Sequence, residues 1–308
     1  MLATVYKSTG SWYQVKDTNH AFWNARLKGV FKIEDITSTN PVVVGDQVDI
    51  EAEKDGEQSA IITNILNRKN HITRQSPSHK MQQHIIAANV DQSLLIATLK
   101  EPRTSQGFID RFLLTAEAYH IPAILILNKT DLFGKKEWEL FQHWENMYPS
   151  LGYTLIGISV KEKLRLEEVN DMLKGKVSLF SGHSGVGKSS FINAILPTLQ
   201  LKTRDVSGWS GKGMHTTSFA EMFDLPGGGQ VIDTPGIREF GLVDMTRQEL
   251  SHYFPEMRER LQDCQFNNCL HLNEPCCAIK KALEEGEIFA DRYVSYCKIL
   301  DSIEEKTH

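Results

Sequence analysis

The segment Gly182-His183-Ser184-Gly185-Val186-Gly187-Lys188-Ser189 constrains this chain more than any other. It has the form G-x-x-x-x-G-K-S, with the apolar run VSLFS before it and SSFINAIL running out of it. A strand, a glycine-rich turn and a helix in that order make an anion cradle, in which backbone N–H groups wrap a phosphate chain at a helix N-terminus. Residues 182–189, with Ser190 beside them, are therefore candidate nucleotide contacts. Lys188 is expected to hold the β- and γ-phosphates and serve catalysis, and the Ser189 hydroxyl to ligate Mg²⁺. A chance glycine-rich turn would not explain the flanking strand and helix.

Such a cradle belongs on a parallel sheet covered by helices. Buried strands are predicted at 93–99, 123–128, 153–159, 176–181 and 230–233, with helices at 108–120, 137–148 and 188–196. The first helix places Ile109, Phe112, Leu113 and Ala116 at i, i+3, i+4, i+7. Upstream, short strands are predicted at 11–15, 21–27, 42–44 and 47–51, with turns at Asn40-Pro41, Gly45-Asp46 and Asp55-Gly56, which suggests a small β-barrel. Residues 67–77 are polar, basic and end in Pro77, and read as a linker whose end can order against the next domain. Helices are predicted again at 278–285 and 291–305. The expected division is 1–70, 71–245 and 246–308, in keeping with about 100–200 residues per domain.

Two further motifs define the ligand. Asn128-Lys129-Thr130-Asp131 follows the strand AILIL. An Asp131 carboxylate can accept from both guanine N1–H and its exocyclic amine, a pair adenine does not offer. Alone, the tetrad could equally be a strand exit whose Asp caps a helix; beside a phosphate cradle it points to guanine. Asp233-Thr234-Pro235-Gly236 closes a strand, so that Asp233 can hold Mg²⁺ through water and the Gly236 N–H can meet a γ-phosphate. Ser159-Val160 fits a base-contacting loop after the strand 153–158. In ordinary small GTPases the cradle comes first and the NKxD tetrad fourth. Here the order is G4-G5-G1-G2-G3, a circular permutation, tolerated where termini lie close together at the surface.

Between the cradle and Asp233 lies the loop 202–218, with Gly208, Gly211, Gly213, Trp209 and two threonines. Thr217 is the expected Mg²⁺ ligand and Thr216 the alternative. His215 is a candidate for orienting the attacking water or contacting a partner, with a solvated side chain as the plain alternative. Many GTPases carry a water-orienting Gln just after DxxG; here that position is Ile237, whose side chain cannot do this. Intrinsic hydrolysis is therefore expected to be slow.

All five cysteines fall in the last 45 residues, an odd and clustered set that favours metal over disulfides. Cys264-x4-Cys269-x-His271-x5-Cys277 offers three thiolates and an imidazole, the donor set of one structural Zn²⁺, with Cys276 as an alternative to Cys277. Cys297 reads as a packed thiol. Net charge is −5, and residues 1–74 carry nine cationic and nine anionic side chains, so nucleic-acid binding cannot rest on charge. No apolar run approaches the ~20 residues that span a bilayer, and the N-terminus lacks a signal-peptide pattern, so cytoplasmic location without membrane contact is expected.

Together these residues resemble the RsgA (YjeQ) family of ribosome small-subunit-dependent, circularly permuted GTPases. The resemblance runs from Gly45-Asp46-Gln47-Val48 through NKTD, GHSGVGKS, Gly213-x-His215-Thr216-Thr217 and DTPGIREFGL to the Cys/His segment and the following CAIKKALEEGEI. Ser218 and Cys276 stand where Thr and Gly are frequent in the family. The resemblance implies an N-terminal OB-fold barrel that binds RNA, a permuted α/β GTPase domain and a mainly helical zinc-binding C-terminal domain. It further implies GTP/GDP and Mg²⁺, late maturation or quality control of the 30S subunit, 16S rRNA as a partner, hydrolysis stimulated by that subunit with release afterwards, and a monomer.

Overall fold

A computed structural model of the chain describes residues 1–28, 41–53, 58–75, 83–197, 220–233 and 245–303. The N-terminal strands are β1 (Leu2–Ser8), β2 (Tyr13–Asp17), β3 (Phe22–Leu27), β4 (Gln47–Ala52) and β5 (Ser59–Ile65). Their order is β1-β2-β3-β5-β4 with β4 closing on β1, antiparallel except for β3 beside β5. This is the five-stranded OB barrel. Alternate residues turn inward, among them Val5, Tyr13, Val15, Val48, Ile50 and Ile62, all buried. The β1 and β5 strands were not predicted. Residues 42–44 contribute only a bridge from Val44 to Ala87 instead of a strand.

Residues 67–77 are not a plain linker. They contain β6 (His71–Gln75), which pairs with β7 (Gln83–Ala88) as a hairpin. Ile72 and Ala87 of that hairpin are buried in the core of the parallel sheet. Gly45, at φ +90°, brings the barrel backbone against it, where a Cβ would stand 2.0 Å from the Ala88 carbonyl oxygen. Beside it the buried Asp46 accepts two hydrogen bonds from the Arg68 guanidinium, at 2.6 and 2.7 Å. The turn read in the sequence is thus a fixed joint.

The parallel sheet is made of β8 (Gln92–Thr98), β9 (Ala123–Asn128), β10 (Thr154–Gly157), β11 (Val177–Ser181) and β13 (Gln230–Asp233), with β12 (Glu221–Asp224) antiparallel at one edge. Its order is β10-β9-β8-β11-β13-β12. The helices are α1 (Gln106–Ala118), α2 (Lys135–Ser150), α3 (Leu166–Leu173) and α4 (Lys188–Ile195). Alternation divides each strand between two cores. Leu95, Leu125, Leu127, Leu179 and Ile232 face α1 and α2, while Leu94, Ile96, Ile126, Phe180 and Val231 face α3 and α4. Each fully buried side chain of this kind is worth about 1.5–3 kcal/mol over exposure. Lys7 of β1 lies in register with Glu221 of β12, so barrel and sheet form one eleven-stranded surface.

The C-terminal region comprises α5 (Pro255–Arg258), α6 (Ala278–Glu284) and α7 (Ala290–Ser302), with its own core around Phe254, Ile279, Tyr296 and Ile299. Leu114 of α1 belongs to that core. Arg292, 1% exposed, pairs with Asp110 of α1 at 2.6 Å and Glu256 at 2.8 Å. Burial opposes its charge, but the two carboxylates outweigh that and hold it strongly protonated. No described helix is long and apolar enough to cross a membrane.

Candidate nucleotide site and metal centre

Every described motif of the nucleotide site leaves the C-terminal end of a parallel strand: residues 182–189 follow β11, 128–131 end β9, Ser159 follows β10, and Asp233 ends β13. Ligands bind in α/β sheets at this end. Ser184 and Gly185 are exposed at the tip of the cradle, while Val186 is fully buried beneath it. Gly187 adopts φ +91° and caps α4; a Cβ there would lie 2.4 Å from Asn128 Nδ2. Only glycine allows that approach.

Asn128, 2% exposed, joins the two motifs. Its Nδ2 donates to the Val186 carbonyl at 2.9 Å, and its Oδ1 accepts from the Val160 N–H at 3.2 Å. Lys129 takes a left-handed conformation, φ +65°, and its ammonium donates to the Glu101 carbonyl. Both Thr130 N–H and Oγ1 donate to Ile158 O, at 3.1 and 3.0 Å, which pins the turn. Asp131 accepts from Ser159 Oγ at 2.6 Å, leaving its second oxygen 4.0 Å from Lys161 Nζ. Lys188 Nζ lies 2.8 Å from Asp233 Oδ1, each side chain 15% exposed. The ammonium expected to meet phosphate and the carboxylate expected to meet metal thus neutralise one another between the start of α4 and the end of β13. His183 bonds to Thr104 Oγ1 at 2.7 Å, a contact with no sequence signal, because Thr104 sits in an ordinary polar loop after β8. Ser189 and Ser190 lie half-buried in the first turn of α4. His215, Thr216, Thr217, Gly236 and Ile237 lie outside the described residues.

The second cluster holds Cys264, Cys269, His271 and Cys277, whose ligand atoms all lie within 4.8 Å of one another. His271 Nδ1 is 3.6 Å from Cys264 Sγ and 3.4 Å from Cys277 Sγ. Tetrahedral bonds of about 2.3 Å to sulfur and 2.0–2.1 Å to nitrogen require an S···N edge near 3.6 Å, so the donors fit a zinc ion. Cys276 is exposed, at φ +52°, and stands outside the cluster. Without metal, burial pushes the Cys269 thiol up to about 12, raises Cys277 and lowers His271. Glu274 holds the loop by accepting from the N–H groups of Leu270, Leu272 and Asn273. Tyr293 and Tyr296 donate to the carbonyls of His271 and Leu270 at 2.5 and 2.9 Å, fastening it to α7.

Residues 65–243 match the family model described as RsgA GTPase, and residues 3–62 that of the RsgA N-terminal domain. The chain belongs to the RsgA GTPase family. It is 51% identical over 99% of its length to the small ribosomal subunit biogenesis GTPase RsgA of Christiangramia forsetii, covering 97% of that protein. The protein of the same name from Flavobacterium johnsoniae is 50% identical over 99% of the chain and 94% of its own length. Among solved structures, YjeQ from Thermotoga maritima superimposes with a TM-score of 0.82 at 32% identity, covering 99% of both chains. YloQ, a circularly permuted GTPase, gives 0.75 at 30% identity, covering 100% of this chain and 96% of that one. The RsgA family accounts for the motif order and for the barrel.

Proposed function

We propose that this RsgA-family GTPase is a maturation factor of the small ribosomal subunit that binds immature 30S particles, and their 16S rRNA, in its GTP form and leaves as GDP. The relatives' names support the partner. The observation that carries the chemistry is the junction of Asn128 with Val186, which makes the guanine-reading turn and the phosphate cradle one rigid body.

In this reading Asp131 accepts from guanine N1–H and the 2-amino group, with Asn128, Lys129, Ser159 and Val160 framing the base. The N–H groups of residues 182–190 cradle the phosphates. Lys188 releases Asp233 and turns to the β- and γ-phosphates. Ser189 and Thr217 would hold Mg²⁺, with Asp233 reaching it through water, and the ion would supply charge neutralisation to the phosphates. The Gly236 N–H meets the γ-phosphate, and His215 orients the water that attacks it. The new P–O bond forms as the bond to GDP breaks, and the proton leaves with inorganic phosphate. Ile237 supplies no polar group, so the docked subunit completes the site. We further assign the Cys264, Cys269, His271 and Cys277 cluster to one structural Zn²⁺, the chain to three units at 1–70, 71–245 and 246–308, and its action to a cytoplasmic monomer. Co-sedimentation with 30S subunits tests the cycle. Retention with a non-hydrolysable GTP analogue and release with GDP is expected, and equal retention contradicts it.

A further inference from the structure

Helix α1 touches both the phosphate cradle and the C-terminal region. At its start, Thr104 is 2% exposed and its hydroxyl oxygen accepts from the Thr98 N–H at 3.1 Å. Its hydroxyl hydrogen is then free to donate to His183 Nε2, 2.7 Å away, while His183 Nδ1 faces the Ser184 carbonyl at 3.2 Å. The neutral Nδ1–H tautomer satisfies every one of these bonds. Phe108, in the first turn, meets the same imidazole edge-on, with ring centroids 5.5 Å apart.

The rest of the helix faces the other way. Asp110, Leu114 and Glu117, at i, i+4 and i+7, form one stripe. Asp110 Oδ1 accepts from Arg292 of α7 at 2.6 Å and from Tyr148 Oη at 3.0 Å. Leu114 is buried in the C-terminal core, and Glu117 accepts from Arg258 at 3.0 Å. Arg111 donates to Ser302 Oγ at 2.9 Å. Ser105 caps α1 by accepting from the Phe108 N–H, so Thr104 stands just outside the helix while Phe108 and Asp110 lie inside it, two residues apart. A hydrogen-bonded helix does not shorten, so movement of the C-terminal region must be carried to His183 or break one of these contacts.

We propose that α1 is a strut that ties the metal-stapled C-terminal region to the phosphate cradle, and that Thr104 and Asp110 are positioning residues for GTP binding and hydrolysis. Thr104 holds His183, and with it the exposed arm Ser184–Gly185, in the shape that receives phosphate. Asp110 fixes where α1 stands against α7 and α2. This rests on the nucleotide-site reading given above. It also gives a docked subunit a way to act on the cradle from the far side of the chain.

The test uses the full chain and fluorescently labelled GDP, with kcat and KM for GTP measured with and without 30S subunits. Thr104→Val is expected to weaken labelled-GDP binding at least tenfold and raise KM more than it lowers kcat, while Thr104→Ser stays within threefold of the parent. Asp110→Asn, which keeps shape and hydrogen bonds, is expected to weaken binding threefold or more and blunt the stimulation by 30S. The double variant should be no worse than Thr104→Val, whereas independent sites at this separation add. His183→Phe keeps the ring on Phe108 but loses the bond, and probes the same contact should Thr104→Val fail to fold. Thr104→Val or His183→Phe binding within twofold of the parent overturns the proposal, as does strict additivity in a folded double variant. A parent chain that binds no guanine nucleotide overturns the underlying reading as well.

Discussion

Asn128 and Gly187 show how much one contact can decide. The Asn128 amide is buried and bonded at both ends, so it cannot yield to a Cβ at position 187 as a free side chain would. Gly187→Ala should therefore cost the cradle and the base turn together, abolishing binding of both GTP and GDP in calorimetry. In the proposed reading Asp131 contacts guanine, so its replacement should change which base is bound. In Asp131→Asn the amide donates to the 2-carbonyl of xanthine but leaves the guanine amine unpaired. GTP affinity should fall by about 2–3 kcal/mol while xanthosine triphosphate gains, measured by competition. NKTD and GHSGVGKS stood out in the sequence because phosphate and guanine chemistry leaves few alternatives for such patterns, and both lie at strand ends; of DTPG only Asp233 falls among the described residues. Thr104 was not legible: its part depends on a partner 79 residues away, and nothing in KEPRTS marks it.

At the scale of elements, long periodic segments were read well. The predicted helix 108–120 is α1 at Gln106–Ala118, and the strand 123–128 is β9. The strands that were missed carry mixed faces. β12 reads EMFD, and is a strand because β13 and β1 lie on either side of it. β6 lies in a polar basic stretch and pairs only because β7 returns to it. Asp224 of β12 seals the joint to the barrel, accepting from Tyr6 Oη at 2.6 Å and Lys16 Nζ at 2.5 Å. Burial raises this carboxyl, but the hydrogen bonds from Lys16, Tyr6 and Gln230 prevail and hold it below its ordinary 3.8. A depressed carboxyl stabilises the folded state above its unfolded pKa, and that contribution is lost as pH falls through the folded value. The thermal midpoint of Asp224→Asn should therefore lie below the parent's at pH 7 and converge with it below pH ~4.

The Cys/His segment is an element whose donor set fits one zinc ion. With Cys269 and Cys277 raised by burial, ligation must displace their protons. Each displaced proton makes affinity tenfold stronger per pH unit, so Zn²⁺ binding should strengthen by about a hundredfold per unit between pH 6 and 7 from these two thiols. Competition with a chromophoric chelator measures this; pH-independent affinity would contradict thiolate ligation. Cys269→Ser should leave the chain short of zinc by elemental analysis and expose the core around Phe254 and Tyr296 to proteolysis.

At the scale of the whole molecule, permutation changes what the nucleotide can control. Asp233 ends the sheet, and the chain passes from there to the C-terminal region, while β12 carries the barrel through Lys7 and Glu221, 3.1 Å apart. If Asp233 acts at the γ-phosphate as proposed, a change there has a route to the barrel through β12 and β1, and a partner that grips the barrel has the same route back. The partner itself was legible only through family resemblance, since a net charge of −5 and an evenly charged barrel carry no mark of RNA. In the proposed cycle the small subunit completes an otherwise slow site. The most direct measurement is phosphate release from GTP by the protein alone, with 30S subunits and with 50S subunits. Slow turnover alone, raised many-fold by 30S and not by 50S, is the predicted result. Equal rates in all three would contradict it.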